Sequence, residues 1–441
     1  MTDLPWSRPR HELVLLALVA AAMLSVVQRA SVQDSSRLCL TRALVHGRLT
    51  IEPCAGDTID RAVHDGRTYT DKAPGLSVVS LPAALATRLP PPARWPSAGG
   101  ARLWAVRVLV NGVAFLLAAF AVGRIAEGLA PGCGGAALVT FALGTLFAPL
   151  AATTFGHVLA GSLAFGGFVL AWSRRFVLGG LLAGTAVVTD YTTALIALVL
   201  AAYVLSAGAR PLARFAAGAA PPLAGLGAYD WAAFGSPFHL SYRYVANVYS
   251  AEQRSGFFGV HLPTAHGAQL VLAGDRGLLV TSPVAAAAAA GLVLLARRRR
   301  REAVVCGTAF LLLLAVNCGY FDPYGGGSPG PRLLVPALPF LALGLAPAFA
   351  AFRAVTAAAA AASVAASTAL ALTWASVQSY PGSVWEQLGQ VLVRRGDSLL
   401  VPRLAGNVLA WAGLSRLHAA AAVCALAAAA FALSQPRGRP A

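Results

Sequence analysis

The sequence predicts an all-α, polytopic transmembrane helical bundle of about 12 spans, with interfacial helices in a long first extracytoplasmic loop. Composition is the first ground: of 441 residues 57% are hydrophobic and 12% charged, with a mean hydropathy of +0.67. A single aqueous core does not absorb that much apolar side chain. The second is length, because apolar runs of roughly 17 to 25 residues recur from Leu13 to Leu433, long enough to cross a hydrocarbon core about 30 Å thick. The third is charge placement: the arginines sit in short connectors between those runs.

The elements follow in order. The first span is expected near residues 12–30. Leu13–Val27 follows Arg8 and Arg10 and has the length of a signal peptide, but no small-x-small cleavage site follows, and it is expected to be retained. A long polar loop, residues 33–102, comes next; within it Thr41–Leu49, Asp57–Asp65 and Gly75–Leu89 read as interfacial helices, the last Pro-flanked and short for a span. Further spans are expected near residues 103–123, 134–151, 156–172, 176–189, 191–207, 215–234, 278–296, 303–318, 333–350, 354–375 and 405–433.

This alternation puts Arg124, Arg174, Arg210, Arg297–Arg301, Arg353 and Arg437 on one side, with both termini, as the positive-inside bias requires. Residues 33–102, 235–276, 319–332 and 376–403 collect on the other side. Residues 1–441 therefore read as one membrane domain, without a repeat of the first half in the second.

The formal net charge of +17 does not indicate nucleic acid, since the arginines form no aromatic-interleaved face. No zinc-type cysteine and histidine spacing and no nucleophile elbow occurs, so a soluble-type hydrolase is not indicated. Of the 6 cysteines, Cys133, Cys306, Cys318 and Cys424 lie in or beside apolar helices and read as packing. Cys39 and Cys54 share the first loop, on a side where a disulfide is chemically permitted.

Chemistry concentrates in the loops of that face. Six of the 17 acids lie between Asp34 and Asp71. Asp34, just after the first span, is either a helix-start charge ahead of Ser35-Ser36 or a carboxylate facing a cavity and water. Lys72 is the only lysine, against 33 arginines; its compact ammonium suits a phosphate, and Asp71 either orients or neutralises it. In Phe321–Arg332, three successive glycines let backbone amides approach a ligand and Arg332 stands where it can grip a phosphate; the alternative is a flexible turn. Tyr324 belongs to the same stretch. Tyr242 and Arg243, among the aromatics of residues 235–276, suit a sugar or headgroup or else an interfacial belt. His157, Asp190 and Asp230 are polar residues in or beside apolar runs, where charge is costly and therefore a candidate for function.

Together these motifs resemble the GT-C superfamily of membrane glycosyltransferases, which includes protein O-mannosyltransferases and the aminoarabinose transferase acting on lipid A. Gln33-Asp34-Ser35-Ser36-Arg37-Leu38 resembles the first-loop catalytic aspartate motif of that group. Asp71-Lys72-Ala73-Pro74-Gly75 resembles its acid-Lys-Pro-Pro element, with Ala73 in place of the usual proline. Gly330-Pro331-Arg332-Leu333-Leu334-Val335-Pro336-Ala337-Leu338-Pro339 resembles the Arg-Tyr-Leu-Leu-Pro-x-Leu-Pro run that opens a late span. Tyr229-Asp230-Trp231 with Phe234-Gly235-Ser236-Pro237 is similar to a span-ending element of bacterial members.

The resemblance implies a polyprenyl-phosphate monosaccharide donor and transfer to an acceptor hydroxyl on the extracytoplasmic face of the plasma (inner) membrane, with inversion. It implies Asp34 as general base, Lys72 and Arg332 as ligands of the donor phosphate, and an apolar groove for the prenyl chain. Asp71, His157, Asp190, Tyr242, Arg243 and Tyr324 are expected to support the site or bind substrate. The acceptor, a glycan, lipid or protein, is left open, and so is a divalent metal, which some GT-C members use and others do not. The rival class is a transporter of a lipid-linked substrate or solute, which predicts ionisable residues at mid-membrane instead of in one face's loops.

Overall fold

A computed structural model of the chain describes residues 12–436, apart from residue 29, residues 91–99 and most of residues 374–403. The arginines at 8, 10, 437 and 439, and most of the loop expected at 376–403, lie outside the described residues. Among the described residues four helices are long and apolar enough to cross a membrane: Gly100–Leu129, Arg300–Gly319, Arg353–Thr373 and Arg416–Ser434. Two bent pairs raise that number to six. Ala265–Thr281 turns by 91° into Val284–Ala296 at Pro283, and Arg332–Ala342 turns by 56° into Leu345–Ala351. Proline lacks the amide proton that would continue the first of these ladders.

Five shorter apolar helices, of 10–17 residues, pack among them: Glu12–Met23, Gly134–Leu143, Gly156–Trp172, Phe176–Thr189 and Tyr191–Leu205. Ala209–Phe234 adds 26 helical residues in spite of Pro221 and Pro222. One apolar cluster joins these helices, from Leu15 to Ala430.

The first loop departs from the expected three interfacial helices. Thr41–Leu49 is not an element of its own; its first half is the end of a helix over Val32–Val45, which Ser31 opens by a reciprocal capping box with Asp34. Asp57–Asp65 is not helical either. Arg61–His64 pairs antiparallel with Arg67–Thr70, in the register Arg61↔Thr70. Asp65 and Gly66 take φ of 47° and 72° between the strands, the left-handed pair that a two-residue hairpin turn demands and that an Asp-Gly step supplies. Gly75–Leu89 does form helix, but as Gly75–Val79 and Leu81–Thr87.

These pieces form a second, smaller apolar cluster, from Leu38 to Leu159. Hydrogen bonds fix it: Ser36 Oγ donates to Asp60 O at 2.6 Å and lies 2.6 Å from Thr70 Oγ1, while Thr58 Oγ1 donates to Val32 O at 2.7 Å. At Gly75 a Cβ would stand 2.6 Å from the Val188 carbonyl carbon, so only glycine lets the Lys72 segment press against the end of Phe176–Thr189. The later loops join in through Ala62↔Val245 and Val260↔Tyr320.

Candidate active site

The helix Val32–Val45 presents two contrasting side chains. Asp34 is buried, and both its oxygens are engaged. Oδ2 accepts from Ser31 N at 2.7 Å and Ser31 Oγ at 2.5 Å; Oδ1 accepts from Thr154 N at 2.8 Å and from the Thr154 hydroxyl, and pairs with Arg107 Nη2 at 2.9 Å. Burial alone pushes this carboxyl's pKa up, but the Arg107 guanidinium and these donors overcome it and hold the group below its ordinary value. No acceptor position on Asp34 is left over, so the proton-accepting role expected of it requires Thr154 or Ser31 to withdraw first.

Arg37, one turn on, is equally buried but barely paired. Its Nη1 donates to Gln33 Oε1 at 2.6 Å, and its Nε has no partner. Three loops bring further polar groups around it, and the charges acting on Arg37 include Asp60, Asp190 and Arg332. Arg332 Nε is likewise buried without a partner. Its guanidinium lies 5.4 Å over the Phe155 ring, in a space that Gly325 opens, since a Cβ there would sit 2.5 Å from Arg332 Nε. A buried donor left unmade loses about 1–3 kcal/mol, so two such guanidiniums together mark a place built for something else.

Lys72 is held at the end of the hairpin, 3.1 Å from Asp60 Oδ1 and 3.0 Å from Asp71 Oδ2. Burial would lower its pKa; the two carboxylates outweigh burial and raise it, keeping the ammonium charged. Asp71, by contrast, is raised to about 6, because burial and Asp60 outweigh Lys72. Two of the three ammonium protons are accounted for, and the third is available to a ligand.

His157 opens the helix Gly156–Trp172, and Asp190 closes Phe176–Thr189. They meet across 33 residues with His157 Nδ1 2.5 Å from Asp190 Oδ2, while Asp190 Oδ1 accepts from Thr192 N at 3.1 Å and Thr192 Oγ1 at 2.8 Å. With those donors and His157 outweighing burial, Asp190 is lowered to about 2 and stays a carboxylate. His157 Nε2 is buried without a partner. Tyr242 stands edge-on to Tyr191 at 5.4 Å and within the fields of Lys72, Asp190 and Asp71; burial raises its hydroxyl above the ordinary range.

Lys72, Asp71, Arg332, His157, Asp190 and Tyr242 thus come together, and Asp34 stands immediately behind them through Thr154. Arg243 does not join: it is exposed and donates to His239 Nε2 at 3.1 Å. Tyr324 turns to Leu270 O at 3.1 Å under the Arg276 guanidinium, 4.2 Å above its ring. The glycine run offers less than its composition promised, since the Gly325 amide is taken by Asp322 Oδ1 at 3.1 Å. Cys39 and Cys54 are joined, with Cα atoms 6.3 Å apart.

Sequence reasoning passed over Asp60 as a partner of Lys72, and Arg37 and Arg107 as charges of the site. Arg37 was visible as the basic residue one turn after Asp34; nothing local marked the other two. Asp230 is buried with both oxygens unpartnered, close to Tyr191 and beside the unpartnered hydroxyl of Tyr229. Among the described residues no group of three or more histidine, cysteine or acidic side chains is arranged to hold a metal.

An apolar groove of about 590 Å³ lies between the paired short helices and the helices Gly100–Leu129 and Gly156–Trp172. Val79, Pro82, Leu109, Val113, Leu117 and Leu163 line it, with Leu159, two residues after His157.

No family model matches the sequence, and no curated protein matches it in sequence. Among solved structures the chain is similar to ArnT from Cupriavidus metallidurans bound to undecaprenyl phosphate, with a TM-score of 0.52 and 15% identity over 96% of this chain and 75% of that one. The apo state of the same protein gives 0.49 and 14% over the same shares. An archaeal oligosaccharyltransferase, AglB from Archaeoglobus fulgidus, in complex with an inhibitory peptide and a dolichol-phosphate, gives 0.41 and 12% over 98% of this chain and 56% of that one. The likeness to ArnT is one of fold, and that fold agrees with the one the motif resemblance implies.

Proposed function

We propose that this chain is a glycosyltransferase that moves a monosaccharide from a polyprenyl-phosphate donor to an acceptor hydroxyl, on the extracytoplasmic face of the plasma (inner) membrane. The observation that carries the reading is the gathering of Arg37, buried, and Arg332, half-buried, both with unpartnered Nε atoms, with Lys72, which leads into the helix Gly75–Val79 whose Val79 lines an apolar groove. A cation cluster with an apolar groove on the helix that follows it matches a phosphate carried on a prenyl chain. That ArnT was crystallised with undecaprenyl phosphate supports the same ligand class.

The acceptor oxygen attacks the anomeric carbon, the carbon–oxygen bond to phosphate breaks, and the electron pair leaves on the phosphate. Arg37, Arg332 and Lys72 stabilise the charge that grows there. One such displacement inverts the anomeric centre. For the membrane topology, we read the four long apolar helices, the two bent pairs, the five shorter apolar helices and Ala209–Phe234 each as a crossing, twelve in all. The arginine connectors then face the cytoplasm and the cation cluster the opposite side.

The test is transfer or hydrolysis of radiolabelled polyprenyl-phosphate monosaccharides by the purified chain in detergent, with Lys72→Ala and Arg332→Ala beside the wild type. Turnover by the wild type, lost in both folded variants, is the expected result. A folded wild type that consumes no donor from a broad panel of sugars overturns the reading and favours transport of a lipid-linked substrate, to be followed by flux into vesicles.

A further inference from the structure

We propose that His157, oriented by Asp190, is a proton-carrying ligand of the donor phosphate, so that the departing polyprenyl phosphate is held together with one proton. The inference rests on the transferase reading and assigns a role within it that neither the fold nor the motifs supply.

The geometry leads there in three steps. Asp190 accepts from Thr192 on one oxygen and lies 2.5 Å from His157 Nδ1 on the other, so the imidazole presents an N–H at Nδ1 to a carboxylate. That fixes the neutral tautomer, with the lone pair on Nε2. Next, Nε2 is buried and meets no protein group, in a structure where Asp34, a few ångströms of backbone away through Thr154, has every valence filled. Finally, the charged groups acting on His157 are Asp190, Arg332 and Arg37, the last two being the cations of the phosphate cradle; Lys72 acts on Arg332, and Tyr242 on Lys72 and Asp190. His157 is therefore on the leaving-group side. An in-line displacement needs its base on the opposite face of the sugar, so the histidine serves the phosphate and not the acceptor.

A neutral imidazole with its lone pair toward a phosphate oxygen repels it; an imidazolium donates to it. Phosphate binding therefore draws a proton onto Nε2, and Asp190 stabilises the cation formed. During transfer the bond from the anomeric carbon to the phosphate oxygen breaks, and the pair stays on phosphate. The Nε2 proton is then shared with, or passed to, a non-bridging oxygen of the new phosphomonoester. The acceptor's hydroxyl proton leaves to solvent, and solvent returns one proton to the imidazole, so charge and protons balance over the cycle. Asp190 acts through His157 and is a positioning residue.

The experiment is equilibrium binding of undecaprenyl phosphate to the full chain in detergent, from about pH 5.5 to about pH 8.5, a window that brackets histidine. The ligand's own second ionisation is common to every variant and cancels in comparison. Wild-type affinity is expected to fall with pH more steeply than that of His157→Gln, the ratio changing by up to about tenfold per pH unit, as one linked proton requires. The two curves converge near the alkaline end. Asp190→Asn places an amide donor against Nδ1, moves the proton to Nε2, and is expected to flatten the slope while keeping affinity at high pH. Lys72→Ala lowers affinity at every pH and keeps the slope. If His157→Gln follows the wild type within about twofold throughout, or is weaker by one constant factor, the proposal is wrong while the phosphate site stands. If the wild type binds no undecaprenyl phosphate at any pH, the transferase reading falls and takes this inference with it.

Discussion

Asp34 and Arg37 stand one helical turn apart on the same helix, both buried, and are treated in opposite ways. Five donors from Ser31, Thr154 and Arg107 converge on Asp34. Arg37 is left with one partner, Gln33, and an unmade N–H. A group with every valence filled by its own chain is part of the architecture; a group left unfilled at a loss in stability is reserved for a ligand. Asp34 ties the first loop to the foot of Gly100–Leu129 through Arg107, and Arg37, buried one turn on, keeps its Nε–H unmade.

Asp34→Asn is the change that breaks the comparison most directly. It leaves the Arg107 charge buried without its counter-ion, an arrangement that loses about 3–5 kcal/mol of stability. A large drop in melting temperature in detergent is expected, with any loss of turnover tracking the unfolded fraction. An Asp34→Asn protein that melts like the wild type yet has lost turnover would reverse the assignment and make Asp34 the free base that its motif suggests.

Arg37→Ala and Arg332→Ala test the other half. Each removes a donor to the charge that develops on phosphate, for which the expected loss in turnover is about 10²–10³-fold. Neither is expected to lower stability, since each relieves an unmade buried hydrogen bond. Single-turnover rates set beside melting curves separate the two effects.

How much of this was legible in the sequence depended on whether a residue's partners were local. The apolar runs fixed the helices, because crossing a membrane constrains length and composition strongly. Asp34, Lys72 and Arg332 stood out by residue type and neighbours. Asp57–Asp65 was misread as helix because its amphipathic pattern outweighed the Asp-Gly turn signal that follows it. Asp60 was then missed as a partner of Lys72, since only the hairpin brings them to 3.1 Å. His157 and Asp190 were each noticed singly, but their meeting depends on one helix starting where another ends. Arg243 and Tyr324 look the same in sequence as residues that face the site; only the backbone's direction sends them elsewhere.

The Cys39–Cys54 bridge sharpens the comparison further, because it fastens the helix carrying both Asp34 and Arg37 to the segment leading into the hairpin. Closing a loop of sequence separation 15 contributes about 3 kcal/mol by restricting the unfolded chain. Cys39→Ser, or reduction by dithiothreitol, is expected to lower the melting temperature by that equivalent. If the bridge also holds Arg37 in place, undecaprenyl phosphate affinity falls in the protein that remains folded; if Asp34 suffices as the anchor, affinity is unchanged.

The smallest effect is expected at Asp71, where the sign is informative. Its pKa is raised to about 6 from an ordinary 3.8, burial and Asp60 prevailing over Lys72. An acid raised in the folded state binds its proton more tightly there than in the unfolded chain. Its contribution to stability is therefore complete below about pH 4 and is lost as pH climbs through about 6. Asp71→Asn cannot titrate, so between those limits the wild type should lose melting temperature relative to the variant. Asp60, paired with the same ammonium, offers the control: if Asp60→Asn removes the decline, the burden on Asp71 is repulsion between the two carboxylates, and if the decline persists it is burial. The first outcome would mean that Lys72 is held by one charge too many, and that a phosphate beside Lys72 favours the protonated form of Asp71, the proton coming from solvent.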